Sequence, residues 1–254
     1  MVLAIDIGNT NIAIGGFCDD ELSFVVRLST NTSLTADEYA AKILGSLAVH
    51  DIEKRAVKGA IISSVVPPLN KIMKDAVRLL YGVEPLTVGP GIKTGVNIHC
   101  DNQSSVGSDL ICACVAANSI YKSPSLIVDM GTATKMIAVD KRGAFIGVSI
   151  IPGVIMGLKA LSSGTAQLPQ VSLEAPPSVI GKNTVDCMKS GVVFGNAAMI
   201  DGMIDRFCDE LGEELLVIAT GGLAPAIVGY CKHKVILDEN MVLKGLNILY
   251  QKNN

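Results

Sequence analysis

Short apolar runs at 2–5 and 12–17 flank the polar turn Asp6-Ile7-Gly8-Asn9-Thr10-Asn11, and the same arrangement returns at 126–128 and 136–139 around Asp129-Met130-Gly131-Thr132-Ala133-Thr134. Runs of this length between turn residues predict buried strands paired as hairpins. Each hairpin leads into a third strand, through Asp19-Asp20 to 22–28 and through Asp140-Lys141-Arg142-Gly143 to 144–151. Both halves therefore open in a three-stranded meander. Thr35 ahead of Asp37-Glu38 then marks a helix start, with Tyr39, Ile43, Leu44 and Leu47 on one face. Residues 59–66 read as a buried strand stopped by Pro67-Pro68, 69–81 as a helix, 85–88 as a short strand and 106–121 as a helix. Gly, Pro and Asn crowd 89–102, which predicts a long surface loop of the kind that often carries binding groups. In the second half, 153–160 and 185–211 read as helices, the latter with Gly191 and Gly195 as candidate breaks, and 215–219 as a buried strand. Strands alternating with helices after an antiparallel opening predict an α/β layer fold with mixed sheets. Lys122-Ser123-Pro124 marks the expected boundary between a domain at 1–121 and one at 122–254.

The duplicated turn is the main chemical signal. Glycine lets a ligand approach the backbone, the polar residues after it offer donors, and exposed N–H groups form an anion-binding nest. An Asp beside such a nest repels phosphate, so it suits a cation or a water bridging to phosphate. Asp, Gly and Asn also make ordinary turns for local reasons. Two copies in one chain of 254 residues point instead to a duplicated fold unit that holds a nucleotide from both sides. Strand 215–219 ends on Thr220-Gly221-Gly222, where the glycines serve either a close ligand or a plain tight turn.

Composition removes several classes of function. Net charge is −3, and the densest basic stretch, Lys54-Arg55-Ala56-Val57-Lys58, is short, so a phosphate-neutralising surface for nucleic acid has no support. No apolar run reaches the ~20 residues that span a bilayer, and the chain opens on a strand rather than an export signal, so a cytoplasmic protein is expected. Seven cysteines form no CxxC pair and read as reduced thiols, with Cys112 and Cys114 as core residues of a helix. His50, His99 and His233 show no metal-ligand spacing.

Further pieces accompany the turns: Lys93-Thr94-Gly95, Asp101-Asn102, Val106-Gly107-Ser108-Asp109, Pro152-Gly153, Thr165-Ala166-Gln167-Leu168-Pro169, Ile180-Gly181-Lys182-Asn183-Thr184, Ser190-Gly191 and Ala219-Thr220-Gly221-Gly222-Leu223-Ala224. In this order they resemble type III pantothenate kinase along nearly the whole chain, and more broadly the superfamily of acetate and sugar kinases, Hsp70 and actin. The resemblance implies two ribonuclease-H-like (actin-like ATPase) domains that clamp a nucleotide. It implies ATP-dependent phosphorylation of pantothenate to 4'-phosphopantothenate, the first step of coenzyme A biosynthesis, with Mg²⁺, a monovalent cation (K⁺ or NH₄⁺) and a homodimer. Carried over by motif, Asp6, Ile7, Gly8, Asn9, Thr10, Asn11, Ile12 and Ala13 would hold ATP phosphates, with Asp6 also at Mg²⁺, directly or through water. Thr132, Gly221 and Gly222 would contact ATP, and Asp129 would bind the monovalent cation. Asp109 would be the catalytic base, and Cys100, Gly107, Ser108, Asp109, Leu110 and Thr184 would stand at pantothenate. Asp109 falls in the first turn of a predicted helix, where the dipole favours negative charge; without the resemblance, helix capping would be its reading.

Several positions depart from the family pattern. Leu110 replaces an Arg expected to meet an anionic group of the substrate, Cys100 replaces a Tyr, and Gln103 replaces a Pro. Lys135 follows Thr132-Ala133-Thr134 where the family has Thr, Lys189 stands in Met188-Lys189-Ser190-Gly191 for Gln, and Val148 follows Gly147 in place of a second Gly. Lys135 should face opposite to Thr134, either as a solvated lysine or with its ammonium carried back toward the phosphates in place of the monovalent cation. The departures leave two alternatives open: a kinase of a related hydroxylated substrate, and a silent nucleotide-binding homologue with a regulatory role.

Overall fold

The computed structural model describes residues 1–164, 169 and 171–254, so Thr165, Ala166, Gln167 and Leu168 of the expected motif lie outside the described residues. Two five-stranded sheets repeat one topology. In the first, β1 (Val2–Ile7) pairs antiparallel with β2 (Asn11–Cys18), β2 pairs antiparallel with β3 (Glu21–Ser29), and β1 pairs parallel with β4 (Gly59–Ser64), which is followed by β5 (Leu86–Thr87). In the second, β6 (Ser125–Met130), β7 (Ala133–Val139), β8 (Phe145–Pro152), β9 (Leu216–Thr220) and β10 (Val235–Leu237) take the corresponding places. The expected meanders and mixed sheets are present in both halves. The central strands β1 and β6 each carry an antiparallel neighbour on one side and a parallel one on the other.

Helix α1 (Ala36–Val49) starts at the expected Thr35, which forms a reciprocal cap with Glu38: the Glu38 N–H donates to Thr35 Oγ1 at 3.3 Å and the Thr35 N–H to Glu38 Oε2 at 2.8 Å. Tyr39, Ala40, Ile43 and Leu47 are buried, but Leu44, at the edge of that face, is 41% exposed. Pro67-Pro68 do more than stop β4. They occupy the first turn of α2 (Pro67–Tyr81), where a missing N–H costs nothing. In the first half α3 (Ser108–Ile120) follows; in the second come α4 (Val154–Ser163) and α5 (Thr184–Leu211). No break occurs in α5 at Gly191 or Gly195. Burial of Met188, Val192, Val193, Ala197, Ile200 and Ile204 along one side outweighs the ~1 kcal/mol that each helical glycine costs.

Contacts divide the chain differently from a single cut after Tyr121. One unit comprises Met1–Val96, Asn102–Ile120 and Met241–Asn254; the other comprises Asn97–Asp101 and Tyr121–Asn240. The reason is the terminal helix α6 (Met241–Asn253), which the apolar pattern did not single out. Its Leu243, Leu246 and Leu249 share a core with Ala4, Phe17, Ile61, Cys112 and Val115. Asn247 Nδ2 donates to the Asp19 carbonyl at 2.8 Å, tying α6 to the β2–β3 turn. Segment 97–101 joins the second unit through a bridge between Ile98 and Phe145.

A Cβ at Gly245 would lie 2.0 Å from the Cys112 carbonyl oxygen, so α6 meets α3 with no room for a methyl group. Gly245→Ala should lower stability by about 1–3 kcal/mol. Gly195→Ala, with open space around the added carbon, should be neutral or stabilising by up to ~1 kcal/mol. Denaturant unfolding of the two variants side by side checks both, and equal midpoints would contradict the close approach.

Candidate functional site

In the first unit, three elements end at one place. Asp6, near the end of β1, stands beside Ala13 of β2 and Ser63 of β4 in a row across the sheet. The β1–β2 turn is closed by the Gly8 N–H donating to the Asn11 carbonyl at 3.0 Å and by Thr30 Oγ1 donating to the Gly8 carbonyl at 2.6 Å. Asn9, Thr10 and Asn11 are exposed at its tip, whereas the side chains of Ile7 and Ile12 are fully buried. Of the eight residues expected at the phosphates, those two isoleucines therefore anchor the turn in the core and offer only backbone.

Ser108 fixes where α3 begins. Its hydroxyl lies 2.9 Å from Ser63 Oγ, donates to the Ser64 carbonyl at 3.1 Å and accepts the Ser64 N–H at 3.0 Å. Next to this clamp, Asp109 Oδ1 accepts the Leu110 N–H at 2.9 Å, and a Cβ at Gly107 would come within 2.5 Å of the same oxygen. Cys112, one turn on, reports the charge of the surroundings. Burial first, then the carboxylates of Asp6 and Asp109, push its thiol well above the ordinary range, while a hydrogen bond with Ser63 works the other way. Asp6 and Asp109 are thus near enough to act on one buried atom. The signal for the clamp was legible in principle, as Ser63-Ser64 closes an apolar run, but the partnership of Ser63 with Ser108 is a tertiary contact.

In the second unit, the β6–β7 turn closes by the Gly131 N–H donating to the Ala133 carbonyl at 3.1 Å. Two other glycines crowd it. Gly221, just past β9, has φ +89°, and a Cβ there would sit 2.6 Å from the Met130 carbonyl oxygen and 2.8 Å from Asp129 Oδ1. A Cβ at Gly153 would meet the Thr132 carbonyl oxygen at 2.1 Å. These contacts give Gly221 and Gly153 a packing reason that a plain turn lacks. Thr132 and Gly222 are exposed beside them.

Asp129 lies in register with Lys135 on β7 and with Thr220 on β9. Lys135 Nζ is 2.6 Å from Asp129 Oδ2, and the two side chains are only 19% and 14% exposed. A solvated lysine on the outer face is therefore ruled out. A monovalent cation at Asp129, as the resemblance implied, does not fit this arrangement, since an ammonium already covers one carboxylate oxygen.

The remaining expected substrate residues fall on separate elements. Leu110 is 7% exposed, so its side chain is a packing group, and an Arg would not fit there without burying its charge. Cys100 is partly buried in segment 97–101, and Thr184 is the exposed first residue of α5, which Asn183 caps by accepting the Asp186 N–H at 2.9 Å. Among the described residues no group of three or more His, Cys, Asp or Glu could hold a metal ion. Mg²⁺ needs no such group, because it keeps waters and typically takes one or two carboxylates together with phosphate oxygens. Asp6 beside an exposed polar turn fits that requirement.

Residues 2–206 match the family model for type III pantothenate kinase. The chain belongs to the type III pantothenate kinase family. Type III pantothenate kinases of Citrifermentans bemidjiense and Moorella thermoacetica are 41% and 39% identical to it over 253 and 254 residues, in each case 100% of both chains. Among solved structures, a Campylobacter jejuni protein described as a Baf family transcriptional activator aligns with TM-score 0.61 at 20% identity, over 99% of this chain and 98% of that one. Component A of (R)-2-hydroxyglutaryl-CoA dehydratase from Acidaminococcus fermentans aligns with TM-score 0.58 at 15% identity, over 99% and 98%. At those identities the two structures support the actin-like fold alone.

Within this family member, the Ser63–Ser108 contact should be worth a measurable part of the first unit's stability. Ser108→Ala removes the partner of the Ser64 N–H and one of the two partners of the buried Ser63 hydroxyl, so unfolding free energy should fall by about 1–3 kcal/mol. Urea denaturation measures it, and an unchanged midpoint would mean that Ser108 does not hold α3 in place.

Proposed function

We propose that this chain transfers the γ-phosphoryl group of ATP to the primary hydroxyl of pantothenate, yielding 4'-phosphopantothenate and ADP at the entry to coenzyme A biosynthesis. The observation that carries the reading is full-length membership of the family combined with a carboxylate, Asp109, that a serine clamp holds at the start of α3. Phosphoryl transfer is mostly positioning and charge stabilisation, so the protein's tasks are to cradle phosphates, hold the acceptor and take one proton. The backbone and exposed side chains of Gly8, Asn9, Thr10 and Asn11, and of Gly131 and Thr132, are the phosphate-binding groups of this reading, with Gly221 and Gly222 alongside the second turn. Asp6 would hold Mg²⁺, which when bound neutralises phosphate charge.

A primary hydroxyl is a weak nucleophile at neutral pH. Asp109 accepts its proton as the oxygen attacks the γ-phosphorus, the bond to the β-bridging oxygen breaks, and ADP leaves. General-base assistance of this kind contributes about 10²–10⁴-fold. Gly107, next to Asp109 at the start of α3, belongs to the acceptor contacts of this reading. The reading extends to a cytosolic homodimer. Support for a second copy comes from the exposed apolar residues Met156 and Leu161 on α4 and Val179, Ile180 and Val185 before and within the start of α5. No helix among the described residues is long and apolar enough to cross a membrane.

One observation favours a second reading, in which the acceptor lacks the anionic group of pantothenate: Leu110 puts a buried apolar side chain where a guanidinium was expected. Mass spectrometry of products from ATP, Mg²⁺ and either pantothenate or a panel of hydroxylated amides and acids separates the two. Phosphopantothenate formation supports the first, and product from an uncharged amide alone supports the second. With the productive acceptor, Asp109→Asn should bind nucleotide as the wild type does and lose kcat by about 10²-fold or more. Wild-type turnover in that variant would remove Asp109 from the role of base.

A further inference from the structure

Asp129 and Asp6 occupy equivalent places in the two sheets, each near the end of the central strand beside a glycine turn, yet they differ in the charge of the antiparallel neighbour. The antiparallel neighbour of Asp6 is Ala13, whereas that of Asp129 is Lys135. Directly opposed residues of an antiparallel pair project to the same face, so the lysine stem starts within reach of the carboxylate. The ion pair that results is 2.6 Å long and largely screened from water. The other carboxylate oxygen is held against the glycine turn, as the 2.8 Å approach of a Cβ at Gly221 to Asp129 Oδ1 shows. The carboxylate is therefore bounded by an ammonium on one oxygen and by the Gly221 backbone on the other.

We propose that Lys135 is a built-in cation: its ammonium takes the place of the dissolved monovalent ion that a carboxylate at this turn would otherwise recruit, so that nucleotide binding and turnover need neither K⁺ nor NH₄⁺. The inference rests on the reading that the turn at Gly131 meets nucleotide phosphates. A carboxylate with one tethered ammonium carries the same net charge as a carboxylate with one bound monovalent cation. The ammonium is a compact charge with three N–H donors, which suits it to phosphate oxygens as a point charge. A dissolved cation would have to displace a tethered one or settle beside it against like-charge repulsion. The protein thus exchanges an ion whose occupancy depends on concentration for one that is always present.

The test measures nucleotide affinity and turnover separately. Calorimetric titration of ADP with Mg²⁺ is run in a tetramethylammonium buffer with and without added K⁺, on the wild type, Lys135→Thr and Lys135→Met, with thermal melts confirming that each variant is folded. The wild type should show a Kd that changes by less than about twofold when K⁺ is added. The two variants should bind about tenfold or more weakly without K⁺ and recover most of the loss with it. A wild type whose affinity rises tenfold with K⁺ overturns the proposal, as do variants that bind equally well in both buffers. Product formation with pantothenate in the same two buffers tells this inference apart from the proposed reaction. Cation-independent nucleotide binding without phosphopantothenate would retain Lys135 as the cation and discard pantothenate as the acceptor. No nucleotide binding in either buffer would discard both.

Discussion

Each sheet must bring a carboxylate and a glycine turn to the end of its central strand, and that constraint organises what surrounds it. The Gly8 and Gly131 N–H groups close the two hairpins, and Gly153 and Gly221 press against the second one where a Cβ would collide with backbone. The carboxylates then need the strands on both sides to hold them. Ser63 from β4 stands beside Asp6, and Thr220 from β9 stands beside Asp129, so the parallel neighbour completes each site. Crossover helices are required to bring those parallel strands back, and the α/β layering follows.

The two halves keep the same geometry and diverge in charge. In the first, the antiparallel neighbour of Asp6 is an Ala and the turn that follows is polar and exposed. In the second, Lys135 neutralises Asp129 from within the sheet. Removing either partner of so sheltered a pair would strand a charge, so the lysine and the aspartate are bound to each other's presence. A duplicated fold has in this way acquired two electrostatically distinct turns.

The elements that carry Asp6, Ser63 and Asp109 are also held by a part of the chain far from either turn in sequence. Helix α6 packs its leucines against Ala4, Ile61 and Cys112, that is, against the strands and helix that carry Asp6, Ser63 and Asp109. The glycine at 245 allows that helix to touch the α3 backbone, and α3 is also held at its start by Ser108. The position of Asp109 is thus set at two points, by a hydrogen-bonded clamp at the helix N-terminus and by apolar packing one turn onward.

Apolar periodicity determined the meanders, the strands at 59–66 and 215–219 and most helices, because burial on one face leaves a period of two or of 3.6 residues in the chain. The repeated Asp-x-Gly turn and the ordered motifs likewise identified the family and placed Asp6, Asp109 and Asp129 at element ends. Leu44 at the edge of a stripe and the unbroken α5 escaped that logic, since how much of a helix is covered depends on what packs against it. Only the tertiary structure assigned α6 to the first unit, joined Ser63 to Ser108, buried Leu110 and turned Lys135 onto Asp129. Each of these is a contact between elements that meet through sheet register or packing, and a one-dimensional pattern records which residues seek burial or charge without recording which partner the fold will bring to them.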